Sequence, residues 1–176
     1  MNFKILNRES VYKGRAFEVQ KVYLQLPNNK KSYYDLVAHQ DSVTIVPLDK
    51  DGNIWFVTQY RLGVDGQLLE LPAGLLEDNE DPTGGALREI REEIGMASTN
   101  MKFLGDFYLA PGYSSEHMFI YLATDLFPSS LEQDSDEFIA VQKISIPDVL
   151  NMVQKGEIKD AKTLASLMLA LPQLSV

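Results

Sequence analysis

The sequence predicts an α+β fold: mixed β-sheets with helices packed on both sides. Three observations carry that expectation. Segments rich in β-branched and aromatic residues recur along the chain, as in SVTIVPL and IWFVTQYR. Sharp turn signals, Pro27-Asn28-Asn29 and Asp51-Gly52, separate several of them. Strands and helices then alternate without regular βαβ units, which argues against a purely parallel sheet. The 176 residues are 45% hydrophobic, enough for one globular domain with a real core and a small extra lobe.

Taken in order, residues 3–26 read as strand material, with Val19, Val22, Leu24 and Leu26 in mixed alternation. Residues 32–38 return after the Pro27-Asn28-Asn29 turn, giving an N-terminal hairpin. Residues 42–48 and 53–61 form a second hairpin about Asp51-Gly52. A short strand over 67–71 leads into Pro72-Ala73-Gly74. A helix over 82–94 follows, with Asp81 as N-cap, Pro82 at the first helical position and Gly95 as its stop. Strands over 102–110 and 117–124 flank a PGYSS loop, and an acidic, Ser-rich loop occupies 128–137. A strand over 138–144, a helix over 148–155 and an apolar helix over 161–171 complete the chain.

Composition excludes several classes of function. There is no cysteine, hence no disulfide framework and no thiol nucleophile. His39 and His117 are too few and too far apart for a zinc site of their own, and His117 reads as a structural strand residue. No run approaches the ~20 apolar residues of a membrane span. The start, MNFKILNRES, lacks the apolar stretch of a signal peptide, so a soluble cytoplasmic protein is expected, with no membrane partner. A net charge of −9 argues against a nucleic-acid surface but not against a small phosphorylated ligand.

The central helix holds the chemistry. At ~100° per residue, Ala86, Leu87, Ile90 and Ile94 form one apolar stripe, and Glu89, Glu92 and Glu93 a second stripe beside it. Three carboxylates at i, i+3 and i+4 repel one another, and Arg88, four residues before Glu92, offsets only part of this. Oxygen-rich clusters of this kind suit hard cations, magnesium with substrate phosphates above all.

Residues 74–96, GLLEDNEDPTGGALREIREEIGM, place Gly74, Glu80, Arg88, Glu89, Ile90, Glu92, Glu93, Gly95 and Met96 in the register of the Nudix box. Seven fixed letters in register arise by chance with odds on the order of 10⁻⁸ per window, so an ordinary acidic helix face is a poor account of the segment. The resemblance extends to the ADP-ribose pyrophosphatase branch of the Nudix hydrolases. Gln59-Tyr60-Arg61, Glu70-Leu71-Pro72-Ala73-Gly74, Pro111 sixteen residues after Gly95, the loop Pro111-Gly112-x-Ser114-Ser115-Glu116 and the segment Gly156-x-Ile158-x-Asp160-Ala161-Lys162-Thr163 are all similar to that branch. The departures lie before residue 43. Tyr33-Tyr34-Asp35-Leu36-Val37 carries no arginine where the branch often has them, and His39-Gln40-Asp41-Ser42 lacks the usual Pro-Gly.

The resemblance implies an α/β/α sandwich and a division into an N-terminal β extension, residues 1–40, and a Nudix hydrolase domain, residues 41–176. The extension is expected to build a homodimer. The implied reaction is Mg²⁺-dependent hydrolysis, with Mn²⁺ as the alternative ion, of the diphosphate in ADP-ribose or a related nucleoside diphosphate sugar. The implied metal ligands are the Ala73 carbonyl, Glu89 and Glu93, with Glu92 serving a further ion. Arg88 would orient the glutamates and Glu80 support the helix start. The general base would be Glu137 in the acidic loop, with Glu92 and Glu116 as rivals. Arg61 would grip a phosphate, Glu70 accept from ribose hydroxyls, Gly112 and Glu116 line the substrate, and Phe17 or Tyr34 stack on a base. Gly84-Gly85 is costly inside a helix, at ~1 kcal/mol each; Gly85 leaves room for a diphosphate or marks loose packing. Two other readings stand beside this one: a nucleoside triphosphate sanitising pyrophosphatase, and a non-catalytic ADP-ribose-binding regulator. An RNA decapping role is disfavoured by the acidity.

Overall fold

The computed structural model describes residues 1–132 and 138–174. The chain forms two compact units, Met1–Asp41 with Tyr108–His117, and Ser42–Phe107 with Met118–Val176.

The first unit is built on an antiparallel meander of β1 (Lys4–Lys13), β2 (Glu18–Gln25) and β3 (Lys31–Ala38). The sequence reading expected a hairpin here; there are three strands, because the chain reverses at Gly14. The Gly14 N–H donates to the Phe17 carbonyl at 2.9 Å, and a Cβ at Gly14 would crowd the Tyr12 ring. A lone glycine gives a weaker signal than Pro27-Asn28-Asn29, where Asn29 adopts φ 64° and the Leu26 and Lys30 backbones bond. The loop 110–115 is stitched to the end of β3. Val37 N–H donates to Tyr113 O at 2.7 Å, and Ser115 N–H to Val37 O at 3.0 Å.

The second unit holds β4 (Ser42–Pro47), β5 (Asn53–Arg61), β6 (Gly66–Glu70), β7 (Ala73–Leu75), α1 (Pro82–Glu93), β8 (Met96–Tyr108), β9 (His117–Pro128), β10 (Ala140–Ser145), α2 (Ile146–Gln154) and α3 (Ala161–Ala170), β8 and β9 running on into the first unit at one end. One sheet runs β7-β4-β9-β8, with β4 parallel to β9 and antiparallel to β7; the other runs β10-β5-β6. All six residues of β4 are buried, which requires cover on both faces. Val43 and Ile45 join Val57 against Ala86 and Ile90 of α1. Val46, Ile54 and Phe56 face the other way, against Val149 of α2 and Leu167 and Ala170 of α3. Burying each large side chain contributes about 1.5–3 kcal/mol, so the alternation along β4 and β5 fixes the layers. This is the expected α+β class.

The helix ends follow their caps. The Asp81 carboxylate accepts from Thr83 and Gly84 N–H at 3.1 Å, Pro82 begins the helix, and Gly95 at φ 69° follows its end. Helix α2 begins two residues earlier than expected, because Ser145 rather than Pro147 sets the boundary by accepting from Asp148 N–H. Asp160 caps α3 through Thr163 N–H at 2.9 Å. Strand β8 starts at Met96, six residues before its expected beginning. It lies at the sheet edge, where the polar run Ser98-Thr99-Asn100 suits a half-exposed strand. Among the described residues, no helix is long and apolar enough to cross a membrane.

Candidate active site

Two elements of the second unit converge to make the site: the corner at residues 70–75 and helix α1. Thr44 of β4 pairs with Ala73, and Ile45 N–H donates to Pro72 O at 2.9 Å, which pins the corner to the buried central strand. Ala73 N–H donates to Glu93 Oε2 at 3.0 Å. Gly74 lies so close under Glu89 that a Cβ there would fall inside the carboxylate. Glycine is needed for that approach alone, since Gly74 has no left-handed φ.

Glu89 and Glu93 are 8% and 2% exposed, so the bland alternative of a solvated acidic face does not hold for them. Arg88 knits the remaining carboxylates. Its Nε and Nη2 meet Glu80 at 3.0 and 2.9 Å, its Nη1 meets Glu89 at 2.6 Å and Glu92 at 2.8 Å, and Nη2 also reaches Leu75 O at 2.9 Å. These five bonds use all five guanidinium hydrogens. Hydrogen bonds donated to Glu80 and the charge of Glu89 hold the Arg88 pKa above its usual value, and Arg88 in turn lowers that of Glu80.

Carboxylates outnumber arginines here. Glu80, Glu89 and Glu92 gather on one guanidinium, Glu93 lies one turn beyond Glu89 on the same helix, and two of the four are buried. Burying anionic charge costs several kcal/mol per ion unless it is matched, so the cluster is suited to a hard cation. Among the described residues, no three His, Asp or Glu side chains stand assembled to grip an ion as they lie, and Arg88 holds Glu89 and Glu92. The oxygen donors and the surplus of negative charge fit a divalent metal.

Arg61, at the end of β5, is paired bidentately with Glu70, at the end of β6, through Nε–Oε1 at 2.8 Å and Nη2–Oε2 at 2.6 Å. The Glu70 hydrogen bonds raise the Arg61 pKa, and the charges of Glu93 and Asp160 add to this. Burial works to raise the Glu70 pKa, but Arg61 and Lys162 outweigh it, and the net shift is downward. Glu70 is 1% exposed with both oxygens occupied. In this arrangement the carboxylate holds Arg61 and Lys162.

Gly85 is closely packed rather than open to a diphosphate. A Cβ there would collide with the Leu76 side chain and lie 3.1 Å from Glu80, so the space is filled by the chain preceding the helix. Gly84 has nothing within 4 Å. Phe17, Gly112 and Glu116 belong to the first unit. Phe17 is 42% exposed, Tyr34 52%, Gly112 has open space about its Cα, and the backbone of Glu116 bonds to Ser114 and Leu109. His117 stacks on Tyr108 with ring centroids 4.6 Å apart. Glu137 lies outside the described residues. Sequence reasoning gave no role to Lys162 and Thr163, which close on Glu70 and Leu71; the DAKT segment was the available signal.

Residues 38–167 match the family model described as NUDIX domain. The chain is 33% identical over 162 residues to the ADP-ribose pyrophosphatase of Bacillus subtilis (strain 168), covering 91% of this chain and 88% of that protein. It is 32% identical to the methanol dehydrogenase activator of Bacillus methanolicus over the same shares of the two chains. A crystal structure of ADP compounds hydrolase superposes with a TM-score of 0.88 at 28% identity, covering 99% of this chain and 95% of that one. With the box glutamates, their arginine and the glycine beneath them in place, the chain belongs to the Nudix family and is a Nudix hydrolase.

Proposed function

We propose that this protein hydrolyses the diphosphate bridge of ADP-ribose, or of a related nucleoside diphosphate sugar, to a nucleoside monophosphate and a sugar phosphate. The observation that carries this reading is the cluster of buried carboxylates Glu89 and Glu93 against the Ala73-Gly74 corner. The relatives named ADP-ribose pyrophosphatase and ADP compounds hydrolase support the substrate class. Nudix hydrolases generally need a divalent metal. Mg²⁺ is the proposed ion, with Mn²⁺ as the alternative, held by the Ala73 carbonyl, Glu89 and Glu93, with Glu92 serving a further ion. A bound divalent cation supplies charge neutralisation on the diphosphate and acidifies water.

The chain's own groups do the rest. Arg88 keeps the glutamates in register and screens their repulsion in the absence of ligand. Arg61, with its side chain 41% exposed, offers charge-assisted hydrogen bonds to a phosphate. The proton of the attacking water passes to Glu137 or Glu92, with Glu116 as the third candidate. Phe17 or Tyr34 stacks on the base, and Gly112 and Glu116 meet the sugar side. The protein acts as a cytoplasmic homodimer formed through the N-terminal sheet. All ten residues of β1 are exposed, and Ile5, Val11, Tyr12 and Tyr33 are each more than half exposed, a surface that a second copy would cover.

The test is kcat/KM with Mg²⁺ for ADP-ribose, ADP-glucose, GDP-mannose and dGTP, since that ratio measures discrimination. ADP-ribose or another sugar nucleotide is expected to lead. A triphosphate in first place would overturn the substrate assignment.

A further inference from the structure

Lys162 is a buried cation that the reading above does not use. It is 9% exposed at the second position of α3, where the positive end of the helix disfavours a cation. A well-packed apolar residue is usually the less costly choice at such a place. The lysine is kept there by two carboxylates. Its Nζ contacts Glu70 Oε2, and lies 2.9 Å from Asp160, the cap of the same helix. Thr163 accepts from Leu71 N–H at 2.9 Å, so the first turn of α3 closes on two consecutive residues of the corner.

Glu70 Oε2 is shared between Lys162 and Arg61 Nη2, while Oε1 accepts from Arg61 Nε. Arg61 has an outer face in solvent; Glu70 has none, at 1% exposure. If Arg61 turns to a phosphate, it must loosen its hold on a buried carboxylate. Were Arg61 the sole counter-ion, that movement would strand a negative charge in the interior.

We propose that Lys162 is a positioning residue of the diphosphate site: by remaining on Glu70, it allows Arg61 to exchange from Glu70 to a substrate phosphate. This rests on the assignment of Arg61 as the phosphate partner. Lys162 itself touches no substrate; it acts through Glu70 on Arg61.

The test is a double-mutant cycle of wild type, Lys162→Met, Glu70→Gln and the pair together. Each protein is measured for KM and kcat on ADP-ribose with Mg²⁺, for ADP-ribose Kd by calorimetry in EDTA, and for thermal unfolding. Lys162→Met is expected to raise KM and Kd about tenfold, ~1.4 kcal/mol, while kcat stays within about threefold. In the Glu70→Gln background there is no buried carboxylate to abandon, and Lys162→Met should leave KM and Kd within about twofold of the Glu70→Gln single variant. A purely structural lysine would lower melting temperature and kcat together in both backgrounds, and that result overturns the proposal. An unchanged KM for Lys162→Met also overturns it. If Lys162→Met does not fold alone, the comparison within the Glu70→Gln background decides, since an effect on KM there contradicts the mechanism. Wild type that is active with no coupling in the cycle defeats this inference alone. Wild type without activity on any nucleoside diphosphate sugar defeats both it and the assignment beneath it.

Discussion

Gly74→Ala isolates the close approach between the corner and α1. The backbone at Gly74 is ordinary strand, so alanine meets no conformational penalty there. The whole effect is steric: the added Cβ would fall inside the Glu89 carboxylate. An ordinary contact requires Glu89 to retreat by roughly 1.5 Å. Glu89 is also held by Arg88 Nη1 at 2.6 Å, and Arg88 is fully engaged with Glu80, Glu92 and Leu75 O, so the shift passes to the cluster. A misplacement of even about 1 Å at a reacting centre lowers rates about 100-fold, equivalent to ~2.7 kcal/mol in the barrier, so a loss of at least this size is expected. Overpacking should cost about 1–3 kcal/mol of stability, a fall of roughly 2–4 °C in Tm per kcal/mol. The assay is AMP release from ADP-ribose at saturating Mg²⁺, followed by chromatography, beside a thermal melt of the same preparation. Activity within about threefold of wild type, with an unchanged melt, would refute the claim that this glycine exists to admit Glu89.

Glu93→Gln should lower kcat/KM by roughly two to three orders of magnitude through loss of a charged oxygen, while the amide oxygen can still accept from Ala73 N–H. Its apo melting temperature should equal or exceed that of wild type, because a 2% exposed charge has been removed; near wild-type turnover at saturating Mg²⁺ would dismiss Glu93 as a ligand. Glu70 and Glu80 have folded pKa values below their usual 4.5, so each contributes stability that is complete above 4.5 and lost as pH falls through its lowered value. Melting temperature should therefore be flat from neutrality to about pH 5 and then fall, less steeply in Glu70→Gln; an equal slope in both proteins would contradict the Glu70 contribution. Removing residues 1–40 should yield a monomer where the full chain sediments as a dimer, and a monomeric full chain at micromolar concentration would remove the N-terminal sheet from its proposed role.

The parts of the fold legible in advance were those with local causes. Asp81-Pro82 and Gly95 framed α1, and Asp160 framed α3, because caps act within a few residues. The β-branched run SVTIVPL marked β4 as a strand, while its cover on both faces comes from the packing of α1 on one side and α2 and α3 on the other. The reversal at Gly14 was missed because one glycine carries little turn signal, and the start of β8 because an edge strand needs no apolar run. At the site, spacing alone placed Glu89, Glu92, Glu93 and Arg88 together. Periodicity gave no hint that Glu70 would be sealed between Arg61 and a lysine 92 residues further on. Such a contact is created by the packing of α3, which no local pattern reports.

The same distant contacts bear on how the protein is made. Strand β4 pairs in parallel with β9, Ser42 opposite Met118, and the corner at Glu70-Leu71 takes its partners from α3. Pairings of this separation are slow to form, because a long loop must close before any contact rewards it. A chain emerging from the ribosome thus exposes its acidic helix well before the central sheet can include β9, and longer still before Lys162 reaches Glu70. Arg61 and Lys162 meet on Glu70 only once α3 has packed against the corner. Loss of α3 should accordingly leave a box that is intact in sequence yet without its partners at the Glu70-Leu71 corner.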